Sequence, residues 1–304
     1  MFLTGFADEA GNDFAVQIKA TKELGWKFIE TRRIGDKTLA TLTDAEFDQI
    51  CAMLDEADIK INCYGSAIAN WGKDPRKEED FQASLDELNA ALPRMKKLGI
   101  KLLRGMSFVS PPDNCPKPDS PELEKIIFQK VRRLVEICAD NGIVYGHENC
   151  MNYGGLSYVH TLRLLEGVNH DNLKLIYDTG NPCFNYRWIG EPPFPLQSSW
   201  EFYSKVKEHI VYVHIKDGVA IPGENPFERP PCRFTYAGDG MGDVRAIVTD
   251  LLRNGYDGGF SMEPHLAVVF HDAERESEGD VRYNNYVSYG RRFEQLLRDC
   301  KERL

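Results

Sequence analysis

Four side chains of metal-ligand type stand at the ends of apolar runs that have the length of β-strands. They are Glu148 in GHEN, Asp178 in YDTGN, His214 in VHIKD and Glu263 in SMEPH. A carboxylate at the end of an apolar strand is costly to bury unless a cation or hydrogen-bond donors meet it. A polar strand end that accepts loop N–H groups explains one such residue equally well, but four in consecutive strands favour a shared site.

The donor set indicates the kind of ion that would bind. Three carboxylates and one imidazole in one place repel one another, and a divalent ion removes that repulsion. An oxygen-rich site with a single imidazole suits Mn²⁺, Mg²⁺ or Co²⁺ better than a thiolate zinc site does. We expect Mn²⁺, with Mg²⁺ and Co²⁺ as alternatives.

These side chains can meet only if their strands lie side by side and run in one direction. Short β-type runs alternate with longer amphipathic runs along the chain, which is the pattern of βα units with parallel strands. A doubly wound sheet is disfavoured because no GxGxxG follows the first strand and polar residues end most strands. We therefore predict a (β/α)8 TIM barrel of class α/β, as a single domain over residues 1–304. The predicted strands are Phe2–Ala7, Trp26–Thr31, Lys60–Gly65, Lys101–Ser107, Ile143–Asn149, Leu173–Asp178, Ile210–Lys216 and Tyr256–Glu263.

Helix boundaries are marked as well. Thr43 and Glu46 have the spacing of a capping box at a helix start. Four glycines each follow an apolar-periodic run and predict helix ends, namely Gly25, Gly99, Gly142 and Gly255.

Composition restricts the classes of partner. The chain has 304 residues, 42% of them hydrophobic, and a formal net charge of −10. This acidic balance disfavours a nucleic-acid partner, because phosphate backbones are bound by basic stripes. No run of about 18 apolar residues and no basic, apolar leader is present, so we expect a cytoplasmic enzyme without a membrane partner. The eight cysteines lack CxxC pairs and are expected to be reduced; Cys150 and Cys183 fall near the predicted site.

At the strand ends the chain resembles a known superfamily. GHEN, YDTGN, VHIKD and SMEP, together with Glu30 at the end of the second predicted strand, resemble the xylose isomerase-like barrels. These include sugar phosphate isomerases/epimerases and ketose 3-epimerases. The resemblance implies that Glu148, Asp178, His214 and Glu263 are metal ligands and that the two glutamates also move protons. It further implies a small sugar or glycoside as substrate and a homo-oligomeric assembly.

The implied chemistry is proton abstraction beside a carbonyl. A metal ion that binds the carbonyl and neighbouring hydroxyl of a ketosugar acidifies the adjacent C–H group and stabilises an enediolate. One glutamate then removes the proton and the other returns it. A non-catalytic sugar-binding barrel is the alternative from another class, and it predicts no bound metal.

Two positions depart from the ketose 3-epimerase pattern. Asn181 stands where those enzymes usually have a histidine, and His147 directly precedes Glu148. The segment HENCMNYGG resembles the catalytic subunits of C-glycoside deglycosidases, which implies a lyase acting on 3-keto C-glycosides, a small second subunit, and His147 as a catalytic base. Neighbours on a strand point to opposite faces, so the alternative is that His147 points away from Glu148.

The remaining candidates are substrate ligands near strand ends: Glu30, Arg104, Asn149, Asn181, Lys216 and His265. Arg104 could bind a carboxylate, phosphate or hydroxyl group, or pair with a neighbouring acid. The segment GDGMG at 238–242 has the composition of a phosphate-binding turn. We expect it instead to shape the seventh loop, with Asp239 helping to hold it.

Overall fold

Eight parallel strands form a nearly closed barrel in the computed structural model, which describes residues 1–110, 120–221, 229–266 and 279–304. The strands are β1 (Phe2–Gly5), β2 (Phe28–Thr31), β3 (Lys60–Gly65), β4 (Leu102–Gly105), β5 (Val144–Glu148), β6 (Leu173–Asp178), β7 (Ile210–Ile215) and β10 (Gly259–Met262). Their order in the sheet is β1-β10-β7-β6-β5-β4-β3-β2, and a parallel bridge between Phe6 and Glu30 joins the two edges. The predicted TIM barrel is confirmed, and the assignment of residues 1–304 to one domain stays a prediction.

A two-stranded antiparallel hairpin interrupts the βα order and was not expected from the sequence. It consists of β8 (Asp217–Ala220) and β9 (Cys232–Thr235), with Asp217 opposite Thr235. Because β8 follows β7 after a single residue, the hairpin extends from the end of the barrel at which the candidate site lies. It contributes Phe234 to the wall of the cavity described below.

Eight α-helices among the described residues follow the predicted alternation. They are α1 (Phe14–Glu23), α2 (Asp44–Ala57), α3 (Glu78–Leu98), α4 (Pro121–Asp140), α5 (Tyr158–Val168), α6 (Ser199–Val206), α7 (Val244–Arg253) and α8 (Gly279–Lys301). The capping box is present: the Glu46 N–H donates to Thr43 Oγ1 and the Thr43 N–H donates to Glu46 Oε2. Gly25 and Gly99 both have φ +72°, the left-handed conformation that ends a helix at low steric cost.

The larger hydrophobic core lies between the strands and the helices. It includes Leu103, Tyr145, Val213 and Phe260, whose side chains point away from the barrel axis and are completely buried. A smaller cluster of Cys63, Ile176 and Tyr212 fills the barrel interior. Side chains at the next level of the interior are polar, and they form the candidate site.

Within the described ranges, no helix combines the length and the apolar character needed to cross a bilayer. The seven cysteines in these ranges are free thiols, and Cys115 lies outside the described residues.

Candidate active site

The four predicted metal ligands lie together in the mouth of the barrel. Glu148 and Asp178 end β5 and β6, His214 lies in β7, and Glu263 follows β10 directly. Asp178 pairs with His214 in the β6–β7 register, so their side chains are neighbours. One ligand atom from each of the four residues lies within 4.8 Å of the others. All four are at most 3% exposed, which makes this a buried cluster of three carboxylates and one imidazole.

His214 is held between two carboxylates. Its Nδ1 lies 3.3 Å from Glu148 Oε1, and its Nε2 lies 3.1 Å from Glu30 Oε2. Burial opposes protonation of the ring, but Glu30 and Glu148 outweigh it and raise the pKa of His214 to about 10. Glu30 therefore holds the ring with Nδ1 directed at Glu148. A carboxylate behind a ligating histidine is a common feature of metal sites.

Two carboxylate oxygens of the cluster make no hydrogen bond within the described part of the chain. Asp178 accepts the N–H groups of Gly180 (2.8 Å) and Asn181 (2.7 Å) on Oδ1, whereas its Oδ2 accepts none. Glu148 Oε2 also accepts none and lies 3.3 Å from Arg104. Burial raises the pKa of Asp178 to about 6; burial also opposes ionisation of Glu148, but Arg104 and His214 lower its pKa to about 2. Buried carboxylate oxygens that make no hydrogen bond and have only basic neighbours, beside an imidazole nitrogen, fit a divalent ion.

Basic side chains compensate part of the negative charge. Lys216 Nζ lies 2.7 Å from Glu263 Oε2 and 3.0 Å from Asp178 Oδ2. Arg32 contacts Glu263 Oε1 at 2.8 Å and Asp8 at 2.9 Å. Lys216 thus contacts two of the four candidate ligands and would compete with a metal ion for their oxygens.

A cavity of about 220 Å³ opens onto this cluster. Pockets for drug-sized ligands commonly span about 300–1,000 Å³, so this cavity is sized for a smaller molecule. Its polar wall includes Arg32, Arg104, Glu148, Asn181, Lys216, Glu263 and His265, and its apolar wall includes Ala67, Trp71, Cys150, Met151, Phe184 and Phe234. Four of the six predicted substrate ligands therefore line the cavity, namely Arg104, Asn181, Lys216 and His265.

Two predicted substrate ligands do not line it. Glu30 lies behind His214 and also accepts the Tyr212 hydroxyl at 3.0 Å. Asn149 is bonded to the backbone of Asp178: its Oδ1 accepts the N–H at 2.7 Å and its Nδ2 donates to the carbonyl at 3.1 Å. Both residues contact metal-ligand candidates and not the cavity, which favours a positioning role; their predicted role as substrate ligands stays untested.

His147 does not reach the cavity either. It is completely buried, and its Nε2 lies 3.0 Å from Ser107 Oγ and 2.9 Å from Asn152 Oδ1. The alternation of side chains along β5 puts Glu148 in the barrel mouth and His147 on the opposite face. Burial lowers the pKa of His147 to about 4. His147 thus lies behind the strand beside Ser107 and Asn152, and its role as a catalytic base stays a prediction that this placement disfavours.

The glycine-rich segment is organised by an acid other than the expected one. The Asp217 carboxylate accepts N–H groups from Gly218 (2.8 Å), Gly238 (2.9 Å), Gly240 (3.0 Å) and Gly242 (2.8 Å). Asp239 is exposed, so Asp217, and not Asp239 as expected, holds the 238–242 turn. Because these N–H groups already bind a carboxylate, they are not available to a phosphate.

Three residues at the site were missed in the sequence. Arg32 follows β2 directly, and Glu9 accepts the N–H of His265 at 2.7 Å. Arg229 lines the cavity and precedes β9. Arg32 could have been found in the sequence, because the pair Arg32-Arg33 directly follows a predicted strand. No local sequence pattern marks Glu9 or Arg229. Cys150 also lines the cavity, and burial raises its thiol pKa to about 12, which does not favour a nucleophile.

Comparisons with known proteins agree with this fold. A D-tagatose 3-epimerase-like protein has a TM-score of 0.71 at 16% identity, covering 100% of this chain and 99% of that one. A D-allulose 3-epimerase from Methylomonas sp. in complex with D-allulose has a TM-score of 0.67 at 18% identity, covering 97% of this chain and 96% of that one. A xylose isomerase-like TIM barrel protein from Mycobacterium smegmatis in complex with magnesium has a TM-score of 0.66 at 19% identity, covering 94% of this chain and 89% of that one.

Sequence comparisons give the family directly. A search of the sequences of curated proteins gives no match. The model of the xylose isomerase-like TIM barrel family matches residues 18–283, which is most of the chain. The chain therefore belongs to the xylose isomerase-like TIM barrel family.

Proposed function

We propose that the protein is a divalent-metal-dependent sugar isomerase or epimerase that removes a proton beside the carbonyl of a ketose. The observation that carries this proposal is the arrangement of Glu148 and Glu263. Both line one cavity and belong to one buried cluster with Asp178 and His214. Two carboxylates at one substrate site can remove a proton and return it.

The metal would be held by Glu148, Asp178, His214 and Glu263. We propose Mn²⁺, with Mg²⁺ and Co²⁺ as alternatives; the magnesium complex of the Mycobacterium smegmatis barrel supports a divalent ion in this fold. When bound, such an ion polarises the ketose carbonyl and makes the adjacent C–H group more acidic.

The other side chains of the cavity orient the reactants. Lys216, 2.7 Å from Glu263, is placed to donate to the oxygen on which negative charge develops. Asn181 donates to Glu148 Oε1 at 3.2 Å and fixes the orientation of that carboxylate. Arg32 does the same for Glu263, and Arg104 lies 3.3 Å from Glu148 Oε2. Each proposed proton carrier thus has a fixed neighbour.

Proton exchange with solvent tests the proposal without knowledge of the natural product. The Mn²⁺-loaded protein is incubated with ketoses in D₂O, and loss of the C–H signal beside the carbonyl is followed by NMR. We expect Glu148→Gln and Glu263→Gln to slow this exchange by about 10²- to 10⁴-fold, whereas Asp239→Asn, at an exposed acid, leaves it unchanged. Metal content is measured for each variant, and a glutamine variant that retains both metal and full exchange would contradict the proposal.

A lyase that acts on a 3-keto glycoside shares the first step and is the second candidate. The aromatic part of the cavity wall, with Trp71, Phe184 and Phe234, favours it because such rings bind aryl groups. The position of His147 disfavours it. Products distinguish the two, since reprotonation gives an isomer or epimer and cleavage releases the aglycone.

A non-catalytic sugar-binding barrel is the remaining alternative, and metal analysis after Mn²⁺ loading tests it. The cytoplasmic location, the homo-oligomer and the small second subunit stay predictions.

A further inference from the structure

Arg229 differs from the other basic side chains of the cavity. Arg32, Arg104 and Lys216 each contact a buried carboxylate of the site. Arg33 also lines the cavity but is exposed to solvent. Arg229 is partly buried, and within the described residues no carboxylate oxygen lies within 4.0 Å of its guanidinium group. Among the described residues that line the cavity, Arg229 is the partly buried base that has no carboxylate beside it.

The contacts of Arg229 are apolar or weakly polar. Its guanidinium carbon lies 4.4 Å above the centre of the Phe184 ring, and Nη1 contacts the sulfur of Met151. Nε is buried and makes no hydrogen bond. Burial lowers the pKa of Arg229, in the direction expected for a charge that has lost water without gaining a counter-ion. The Phe184 ring therefore packs against the guanidinium group but does not satisfy its charge.

A shortage of acidic residues does not explain the missing partner. The chain has 47 Asp and Glu against 37 Lys and Arg, and every other buried base named above has an acid beside it. A buried charge without a counter-charge is strongly unfavourable, so an unpaired guanidinium in a cavity points to a ligand that pairs with it. The planar guanidinium binds the two oxygens of a carboxylate or phosphate group in a fork.

We propose that Arg229 binds an anionic group of the substrate, a carboxylate or a phosphate, while the carbonyl end lies against Glu148 and Glu263. The substrate class is then a ketose acid or a ketose phosphate, not a neutral ketose. Both ends of such a molecule meet side chains of the same cavity. The inference rests on the proposed function for the carbonyl end, but the anion contact itself is measured by binding alone.

Calorimetric titration of the Mn²⁺-loaded protein tests this pairing with four probes. These are D-fructose, D-fructose 6-phosphate, 5-keto-D-gluconate and inorganic phosphate; the last needs no sugar recognition. We expect the wild-type protein to bind at least one anionic sugar about 10- to 100-fold more tightly than D-fructose, as for a hydrogen bond to a charged group. Comparison of the affinities for D-fructose 6-phosphate and 5-keto-D-gluconate shows whether the preferred anionic group is a phosphate or a carboxylate.

Three variants distinguish a specific contact with Arg229 from a general effect of positive charge on anion binding. Arg229→Gln should abolish the anion preference and leave D-fructose binding unchanged, and Arg229→Lys should keep part of it. Arg233→Gln, at an exposed arginine in β9, should behave as wild type. If Arg229→Gln does not fold, as judged by circular dichroism, a preference in Arg229→Lys at least several-fold below that of wild type supports the inference.

Two results would overturn it. One is equal binding of neutral and anionic probes by the wild type. The other is an anion preference that is as large as that of the wild type in every folded variant with a substitution at position 229. Mn²⁺ affinity and C–H exchange are measured on the same samples. Retained metal binding with no Arg229-dependent anion binding overturns this inference alone. Absence of metal binding overturns the proposed function, and the anion preference is then read from the metal-free protein.

Discussion

Lys216 occupies a position at which its charge would act on a metal ion held by the candidate ligands and on the proposed substrate. Its ammonium group touches Asp178 and Glu263, two candidate ligands, at 3.0 and 2.7 Å. Those carboxylates raise the pKa of Lys216 above its ordinary value despite its burial, so it stays charged. A cation that binds the same oxygens must displace or repel it.

We predict that Lys216→Met binds Mn²⁺ at least about tenfold more tightly than wild type, because a nearby positive charge is removed. The same variant should lose C–H exchange, because it lacks a donor for the developing oxyanion. Metal titration followed by electron paramagnetic resonance measures the first effect, and the D₂O assay measures the second. Lys207→Met, which removes a lysine paired with Asp250 away from the cavity, should change neither. Unaltered metal affinity in Lys216→Met would show that the ammonium does not compete with the ion.

Glu30 acts through His214 and makes no direct contribution to the cavity wall. It is completely buried and receives both His214 Nε2 and the Tyr212 hydroxyl. We predict that Glu30→Gln lowers Mn²⁺ affinity by about 10- to 100-fold, the usual cost of removing the carboxylate behind a ligating histidine. Glu87→Gln is the matched control, because Glu87 also accepts a tyrosine hydroxyl, that of Tyr64 at 2.9 Å. Equal metal affinities in the two variants would contradict a positioning role for Glu30.

At the scale of elements, the barrel interior supports the site from below. The Thr4 hydroxyl donates to Asn62 (2.9 Å), Asn62 donates to the Tyr212 hydroxyl (2.8 Å), and Tyr212 donates to Glu30. These residues lie in β1, β3, β7 and β2 respectively. A polar chain that crosses the barrel thus fixes Glu30, and Glu30 fixes His214. Buried polar networks of this kind hold one arrangement when every member is satisfied.

The turn at 238–242 is the second supporting element, and Asp217 organises it. A Cβ on Gly240 would lie 2.3 Å from Asp217 Oδ1, so the carboxylate approaches the backbone as closely as glycine allows. We predict that Asp217→Asn lowers the free energy of unfolding by about 3 kcal/mol, because an amide cannot accept all four N–H groups and leaves buried donors unpaired. Asp239→Asn is isosteric with it, lies in the same turn at an exposed position, and should change stability by less than about 0.5 kcal/mol. Urea unfolding measures both, and equal stabilities would contradict the role of Asp217.

The sequence predicted the parts of the fold that depend on local periodicity. The bounds of β3 and β6 match the prediction, because apolar runs and flanking turn residues mark them on both sides. The β8–β9 hairpin was missed because its strands are short and no tight-turn signal joins them. The cluster of four candidate ligands was found because parallel strands bring their ends to one face of the barrel. Arg229 was missed because Met151, Phe184 and Arg229 come from separate connections, and contacts between connections leave no periodic signal.

At the scale of the whole molecule, a metal ion would join a large part of the barrel. The candidate ligands belong to β5, β6 and β7 and to the residue after β10, which are four consecutive positions in the sheet order. An ion that binds only when these strands are assembled stabilises the folded state by mass action. The effect of the ion on unfolding therefore reports whether these strand ends bind it together, independently of any substrate.

We predict that Mn²⁺ at about 100 times its dissociation constant adds about 2.7 kcal/mol to the stability of the folded protein. In a chain of this length this corresponds to a rise of roughly 5 °C in Tm, and a chelator should reverse it. Asp178→Asn should abolish the rise, measured against the same variant without metal, because it removes a charged ligand. Asp250→Asn, which removes an acid that is paired with Lys207 outside the site, should retain it. The acidic surface of a chain with net charge −10 binds divalent ions weakly, so a rise of equal size in both variants would place the metal there and not in the barrel mouth.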